Sequence, residues 1–232
     1  MRECVVEDLG RMSYGEAFGI QSRIAAERKQ GQGIDHLLFV EHPHVITVGR
    51  NGHPENLLAP EETLRRSGIE LYESDRGGDV TYHGPGQIVA YPIMDLRVWK
   101  RDVGAFVRAI EQVLIDTLAD FGIQATRIAG MTGVWVNVPP AILSPVVSGP
   151  AKIAAIGVHL SRWISTHGWA LNVSTDLRYF EYIVPCGLTK PVTSMRALGV
   201  HADIEEVKTA LTRHFGEVFD FEMQREIVGI YI

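Results

Sequence analysis

A cysteine set between a proline and a glycine is the first residue in this sequence that could do covalent chemistry. Cys186 stands in Pro185-Cys186-Gly187, where the proline restrains the backbone before the thiol and the glycine frees it afterwards. A free cysteine has a pKa of about 8.5, so an attacking thiol needs a cation or a base beside it. Cys186 is therefore a candidate nucleophile, although a lone cysteine is more often buried and inert. No candidate catalytic residue lies near Cys4 in the sequence, and we assign it that inert role.

A lysine at the head of an apolar run is the second candidate. Lys152 begins the run 152–158, Lys-Ile-Ala-Ala-Ile-Gly-Val. A lysine at the rim of a buried strand often extends its amine to solvent, but partial desolvation can instead lower its pKa and suit it to proton transfer. His83, His159 and His167 are further candidate bases or orienting groups, although a single histidine in a strand is more often structural.

A glycine-rich stretch from Arg76 to Gln87 has four glycines and a proline within Arg-Gly-Gly-Asp-Val-Thr-Tyr-His-Gly-Pro-Gly-Gln. Val80 to Tyr82 favour a short strand between two turns, with a second strand from Ile88 to Tyr91. Glycine lets a ligand or another backbone approach closely. The stretch lacks G-x-x-x-x-G-K-[ST] and does not begin a helix, so it is not a phosphate loop. A plain hairpin remains the simpler interpretation.

Composition narrows the class of protein. The chain has 232 residues, 46% hydrophobic and 22% charged, which is typical of a soluble globular protein with a substantial core. A net charge of −6 argues against a nucleic-acid or anionic-membrane partner. No apolar run approaches a membrane span, and acidic residues near the N-terminus disfavour a signal peptide. We therefore expect a cytoplasmic protein with reduced cysteines. His42 and His44 lack a matching ligand cluster, so we expect no metal site.

Periodicity and capping predict the helices that must position these residues. Ser13 and Glu16 form a capping-box pattern before a helix that should reach about Lys29. Further helices are predicted from Pro60 to Arg66, from Asp102 to Gly122, and after Asp203.

The predicted strands come in neighbouring pairs, which favours an α+β fold with a mostly antiparallel sheet. We expect an edge strand from Cys4 to Leu9 and a hairpin of His36 to Val40 with Val45 to Val48. A strand from Met131 to Val138 should precede a proline-bearing surface loop from Pro139 to Pro150. Two strands, Lys152 to Trp163 and His167 to Val173, should flank a turn at 164–166, and a final strand should run from Phe219 to Met223. We predict a single catalytic domain over 1–232, with a small C-terminal subdomain from about 191 as an alternative.

Four blocks of this sequence together resemble one family. Arg76 to Gln87, Lys152 to Gly157, His167 to Val173 and Pro185-Cys186-Gly187 match, in order, the signature of the lipoyl(octanoyl) transferases. The resemblance runs from near Tyr14 to about Phe219. It implies the biotin/lipoate protein ligase fold, a mixed sheet flanked by helices.

The resemblance also implies a reaction. An octanoyl (or lipoyl) group would move from octanoyl-acyl carrier protein to a lysine on lipoyl domains of 2-oxoacid dehydrogenase complexes and on the glycine cleavage H protein. Cys186 would carry the acyl group and Lys152 would activate it, with no cofactor. The implied acyl-binding residues are Arg76, Gly77, Gly78, Asp79, Val80, Thr81, Tyr82, His83, Ala155, Ile156, Gly157, Gly168, Trp169 and Ala170.

Three other functions remain open. An ATP-dependent lipoate or biotin ligase on the same fold would have no use for Cys186. A thioesterase with a cysteine–histidine pair would use water as its final acceptor. A non-catalytic module that binds an acyl carrier would need neither Cys186 nor Lys152.

Overall fold

The computed structural model describes residues 2–138, 149–184 and 190–225. In those residues the strands form two sheets, one of eight strands and one of three. Four α-helices lie around them: α1 (Tyr14–Lys29), α2 (Glu61–Arg66), α3 (Val103–Asp120) and α4 (Ile204–Phe219).

The large sheet has the strand order β11-β1-β2-β6-β10-β9-β8-β7, and the small sheet has the order β4-β3-β5. The strands are β1 (Arg2–Arg11), β2 (Asp35–Glu41), β3 (Val45–Val48), β4 (Glu70–Glu73), β5 (Val80–His83), β6 (Gln87–Ile93), β7 (Ala125–Ile128), β8 (Met131–Val138), β9 (Gly149–Ser161), β10 (Ile164–Asn172) and β11 (Phe221–Arg225). In the large sheet only the pairs of β1 with β2 and with β11 are parallel among the described strands. The predicted mixed, mostly antiparallel α+β fold is confirmed.

The helix predictions are confirmed. Capping residues act within a few positions of the helix start, so the sequence alone could indicate them. Ser13 accepts a hydrogen bond from Glu16 N–H, and the Glu16 side chain bonds back to Ser13 N–H, which completes the capping box. Asp102 caps α3 and Asp203 caps α4 through their side-chain oxygens. Pro60 was predicted in the first turn of α2 but is its N-cap, one residue before the helix begins at Glu61.

Two predictions of strand partners are wrong. β1 is an interior strand, since β11 returns after α4 and pairs with it in parallel from Arg2 to Val6. β2 and β3 are not a hairpin, because β2 lies in the large sheet and β3 in the small one. Between them, buried His42 is hydrogen-bonded to the Met12 carbonyl and the Tyr91 hydroxyl, which holds the chain as it crosses from one sheet to the other.

The glycine-rich stretch makes a second crossing between sheets. β5 pairs with β3 in the small sheet, whereas β6 pairs with β2 and β10 in the large one, so β5 and β6 do not form a hairpin. The tight turn at 84–86 joins them. The two sheets are therefore linked directly beside the stretch that the sequence singled out.

The turn predicted at 164–166 lies two residues earlier. Ile164 pairs with Ser161, and the intervening Arg162 and Trp163 both have positive φ, +52° and +66°. Positive φ at both central residues is typical of a type I′ hairpin turn, and neither residue is one of its usual Asn or Gly signals. The predicted surface loop also ends earlier, since Gly149 and Pro150 belong to β9. Its remaining residues, 139–148, lie outside the described part.

Alternating side chains give the large sheet two apolar faces. Leu37 and Phe39 pack into a core with α3 and α4, while Leu38 and Val40 pack into a second cluster with α1. The small sheet has its own cluster around Ile46 and Tyr82. Tyr14 of α1 contacts Tyr72 of β4, so the α1 side of the large sheet faces the small sheet. The cleft described next lies on that side.

Candidate active site

A cleft lies where the small sheet, α1 and the middle of β9 and β10 meet. It encloses about 430 Å³, including the solvent at its mouth. Its walls come from the start of α1, from the glycine-rich stretch and from three strands of the large sheet; they are Tyr14, Arg76, Gly77, Gly78, Thr81, His83, Val89, Tyr91, Ala155, Ile156, Gly157, His167, Gly168, Trp169 and Ala170. The surroundings are mostly small or apolar, which suits an apolar chain.

Close backbone approach makes one side of the cleft. Gly77 N–H donates to the Val158 carbonyl at 3.0 Å, which joins the glycine-rich stretch to β9. A Cβ at Gly157 would lie 2.8 Å from the Gly77 carbonyl oxygen, and a Cβ at Gly77 would lie 3.0 Å from the Val158 carbonyl oxygen. A side chain at Gly157 would therefore force the two backbones apart, and one at Gly77 would make a tight contact.

Arg76 holds the glycine-rich stretch against the small sheet. Its side chain is buried and donates to the main-chain oxygens of Thr47, Gly77 and Asp79 and to the Thr47 hydroxyl, at 2.6–3.0 Å. Arg76 lines the cleft, and its guanidinium cross-links the surrounding backbone.

Lys152 lies in a smaller cavity that adjoins the cleft. That cavity shares Thr81, Ala155 and Ala170 with the cleft and is lined further by Gln87, Lys152, Asn172, Phe180 and Val192. The lysine is 6% exposed, and its Nζ lies 4.8 Å from the centroid of the Trp135 ring, a cation–π distance. Trp135 was not predicted as a site residue, since the strand pattern of β8 gives no sign of its partner.

Hydrogen bonds between buried side-chain amides connect the cleft to Thr193, whose N–H is bonded to the Lys152 carbonyl. The Gln87 Nε2 donates to Asn172 Oδ1 at 2.9 Å, and Asn172 Nδ2 donates to the Thr193 carbonyl at 3.0 Å. Gln87 Oε1 is then the acceptor for His83 Nδ1 at 2.8 Å, so His83 carries its proton on Nδ1. Burial lowers the pKa of His83 to about 3, and neighbouring His42 adds to that, so His83 is neutral at pH 7.

Tyr14 and His167 also meet in the lining of the cleft. The Tyr14 hydroxyl lies 3.3 Å from His167 Nδ1 and 2.9 Å from Ser74 Oγ, and His167 Nε2 lies 2.7 Å from Asp75 Oδ1. Burial lowers the pKa of His167 although Asp75 opposes this, and it raises the pKa of Tyr14. Neutral His167 therefore donates to Asp75 and accepts from Tyr14.

The structure brings most of the predicted acyl-binding residues into this cleft. Eleven of the fourteen line it, and the exceptions are Asp79, Val80 and Tyr82. Alternation along β5 explains two exceptions, because Thr81 and His83 face the cleft while Val80 and Tyr82 pack into the small-sheet cluster. Asp79 is instead hydrogen-bonded to His53 N–H and to the Asn56 amide. Whether any of the fourteen binds an acyl group stays a prediction.

Sequence reasoning missed several cleft residues, namely Tyr14, Val89 and Tyr91, and named His167 only as a general candidate base. Tyr14 begins a helix and gave no chemical signal. Every residue of β6 is buried, so its pattern does not show which side of the strand Val89 and Tyr91 occupy. Only the arrangement of the sheets shows that this side lines the cleft. Cys186 lies outside the described residues. Among those described, no group of three metal-binding side chains is placed to hold an ion, and no helix has the length and apolar character to cross a bilayer.

Comparison with known proteins defines the class first. Residues 13–216 match the family model of the lipoyl protein ligase A/B catalytic domain. The fold is similar to a bipartite lipoate protein ligase from Thermoplasma acidophilum, with a TM-score of 0.74 at 17% identity over 99% of this chain and 89% of that one. It is also similar to biotin protein ligase from Aquifex aeolicus, with a TM-score of 0.51 at 10% identity over 95% and 70%.

Sequence relatives give the narrower assignment. The chain is 64% identical to an octanoyltransferase from Solibacter usitatus over 96% of both chains. It is 51% identical to one from Koribacter versatilis, over 92% of this chain and 83% of that one. The chain belongs to the lipoyl(octanoyl) transferase family, with a catalytic domain of the lipoyl protein ligase A/B type. The family resemblance stated from the four sequence blocks is confirmed.

Proposed function

We propose that this enzyme transfers an octanoyl group from octanoyl-acyl carrier protein to a lysine of lipoyl domains, through a thioester on Cys186. Its relatives from Solibacter usitatus and Koribacter versatilis are octanoyltransferases, and its family model is that of a lipoyl protein ligase catalytic domain. The acceptors are the lipoyl domains of 2-oxoacid dehydrogenase complexes and the glycine cleavage H protein. The observation that carries the proposal is the apolar cleft that adjoins the cavity of Lys152.

Backbone pairing supports Lys152 as the partner of Cys186. Lys152 is paired with the segment that follows 185–189, through Lys152 N–H to the Pro191 carbonyl and Thr193 N–H to the Lys152 carbonyl, both 2.9 Å. The segment before it is held by Val184 N–H, which donates to the Asn56 carbonyl at 2.8 Å. Cys186 is five residues from Pro191 in the sequence.

The reaction needs two exchanges. The Cys186 thiolate attacks the thioester carbonyl of the donor, the bond to the carrier sulfur breaks, and the carrier thiolate takes a proton from Lys152. The amine of the acceptor lysine then attacks the Cys186 thioester, the cysteine leaves as thiolate, and neutral Lys152 takes the amine proton. An amide replaces a thioester, so the second exchange is downhill and no ATP is required.

The experiment is intact-mass analysis after incubation with octanoyl-acyl carrier protein, without and with a lipoyl domain. The expected result is an octanoyl adduct on Cys186 that disappears as the lipoyl domain gains the same mass. Cys186→Ser should form no thiol-labile adduct, and Cys4→Ser serves as the matched control because Cys4 is buried in the core. Transfer at wild-type rate by Cys186→Ser would refute the covalent route.

The same assay distinguishes the alternative functions. Modification of the lipoyl domain that uses free octanoate as the donor and requires ATP would indicate a ligase. Release of octanoate to water with the lipoyl domain left unmodified would indicate a thioesterase. Binding of the carrier protein without an adduct or transfer would indicate a non-catalytic module.

A further inference from the structure

We infer that Tyr14, held by His167, is the end wall of the acyl cleft and sets the longest acyl chain that the enzyme accepts. The inference rests on the proposed function, because it assigns the direction in which the acyl chain lies. Its thioester end is at the cavity of Lys152, and its methyl end is at Tyr14.

The strand register gives the cleft this direction. The two cavities share Ala155 and Ala170, which are paired with each other across β9 and β10. Lys152 and Asn172 lie beyond that pair on one side and line only the smaller cavity. Tyr14 and His167 line only the main cleft, and His167 lies beyond the pair on the other side. The cleft therefore extends along β10 from Ala170 towards His167.

The length of that interval matches an eight-carbon chain. Ala170 is three residue steps from His167 along β10, and at roughly 3.3 Å per step they are about 10 Å apart. An extended octanoyl chain measures about 9 Å from its carbonyl carbon to its methyl carbon, given C–C bonds of about 1.5 Å and tetrahedral angles. A chain with two more methylenes would meet the end wall.

The wall is held from several sides, so it should not yield to a longer chain. Tyr14 is 2% exposed and His167 is 1% exposed. The Phe18 ring stacks on His167 at 5.4 Å, and His167 N–H donates to Gln21 Oε1 at 2.8 Å, so α1 fixes the histidine in its left-handed backbone conformation, φ +57°. Tyr14 itself begins α1 directly after the Ser13 capping box.

The hydroxyl groups of the wall are already hydrogen-bonded within the protein, so the cleft offers the methyl end of the chain the surfaces of aromatic rings. The Tyr14 hydroxyl is hydrogen-bonded to Ser74 and His167, and the Tyr91 hydroxyl to His42 Nε2 at 2.7 Å. Polar groups already paired in this way present little demand for a polar ligand. The wall therefore acts by bulk, and shortening Tyr14 should lengthen the cleft.

The test measures kcat/KM with octanoyl-, decanoyl- and dodecanoyl-acyl carrier protein for wild type, Tyr14→Leu, Tyr14→Ala and Tyr14→Phe. Two newly accommodated methylenes should raise the decanoyl-to-octanoyl ratio by roughly tenfold or more in the leucine and alanine variants. Tyr14→Phe retains the ring and should keep the wild-type order of chain lengths. Because each ratio is taken within one preparation, partial unfolding of a variant cancels.

Each outcome is decisive. Unchanged ratios in both shortened variants, with an active wild type, would overturn the end wall and leave the proposed function intact. A shift in Tyr14→Phe as large as in Tyr14→Ala would show that the hydroxyl sets the limit and would also overturn it. A wild type that forms no octanoyl adduct on Cys186 would instead refute the proposed function.

Discussion

The backbone N–H of Lys152 donates to the carbonyl of Pro191 at 2.9 Å. Through this bond a residue of β9 in the large sheet is paired with a segment almost forty positions later in the chain. Val192 completes a parallel bridge to Lys152, and Thr193 accepts the Asn172 amide on its carbonyl. The lysine is therefore fixed to the segment next to the candidate nucleophile by main-chain bonds, which side-chain substitutions at 152 leave in place.

Substitution of Lys152 should separate its charge from its ability to transfer protons. Lys152→Arg keeps a cation and cannot act as a base at neutral pH, so it should retain some thiolate on Cys186 but lose transfer by at least about 100-fold. Lys152→Ala should lose both. The measurement is the pH dependence of Cys186 alkylation alongside the transfer rate. Wild-type alkylation profiles and rates in Lys152→Ala would mean that the lysine has no part in the chemistry.

Gly157→Ala should displace the glycine-rich stretch from β9. The new Cβ would lie 2.8 Å from the Gly77 carbonyl oxygen, so backbone must move, and we expect a loss of about 1–3 kcal/mol in the free energy of unfolding together with reduced transfer. Urea denaturation and the octanoyl transfer rate measure the two effects.

Gly19→Ala is the matched control for that substitution. Gly19 lies on α1 and a Cβ there would meet nothing within 4 Å, so alanine should stabilise the helix by about 0.5–1 kcal/mol. Equal effects of the two substitutions would mean that close approach at Gly157 is not a constraint.

His42 should make the protein less stable in mild acid. Burial lowers the pKa of His42 to about 4 from an ordinary 6.5, so below about pH 6.5 the unfolded chain binds a proton that the folded protein cannot. Stability therefore falls as the pH decreases from 6.5 towards 4, by about 2 kcal/mol between pH 7 and pH 5 for this group. Urea denaturation at the two pH values of wild type and His42→Asn would measure it. The asparagine variant should lose about that much less, and equal losses would contradict the assignment.

Ser13→Ala should destabilise α1 by about 1 kcal/mol, because the alanine leaves the Glu16 N–H without its cap. The free energy of unfolding measures the loss. Ser67→Ala is a control of the same chemical type, because Ser67 is the C-cap of α2 and its hydroxyl has a long contact, 3.5 Å, with the Tyr182 hydroxyl instead of capping a helix N–H. If both changes cost the same, the capping box contributes nothing specific to α1.

The sequence determined the helices and the chemistry-bearing blocks of this protein by itself. Caps at Ser13, Asp102 and Asp203 act within three residues, and the apolar periodicity of α4 repeats within one element, so neither depends on the rest of the chain. The blocks of the family signature are likewise contiguous. They sufficed to identify the family and most of the residues that line the cleft.

Only the tertiary structure decided which strands are partners and which side chains meet. The pairing of Arg2 with Phe221 and the cation–π contact of Lys152 with Trp135 join residues far apart in sequence, and nothing in a strand's own pattern identifies its neighbour. The meeting of Tyr14 with His167, 153 positions later, also depends on α1 packing against β10. Local sequence preferences determine where a helix or strand forms, whereas burial of its whole apolar face determines which elements it packs against. Tyr14 and His167 come together only through such packing.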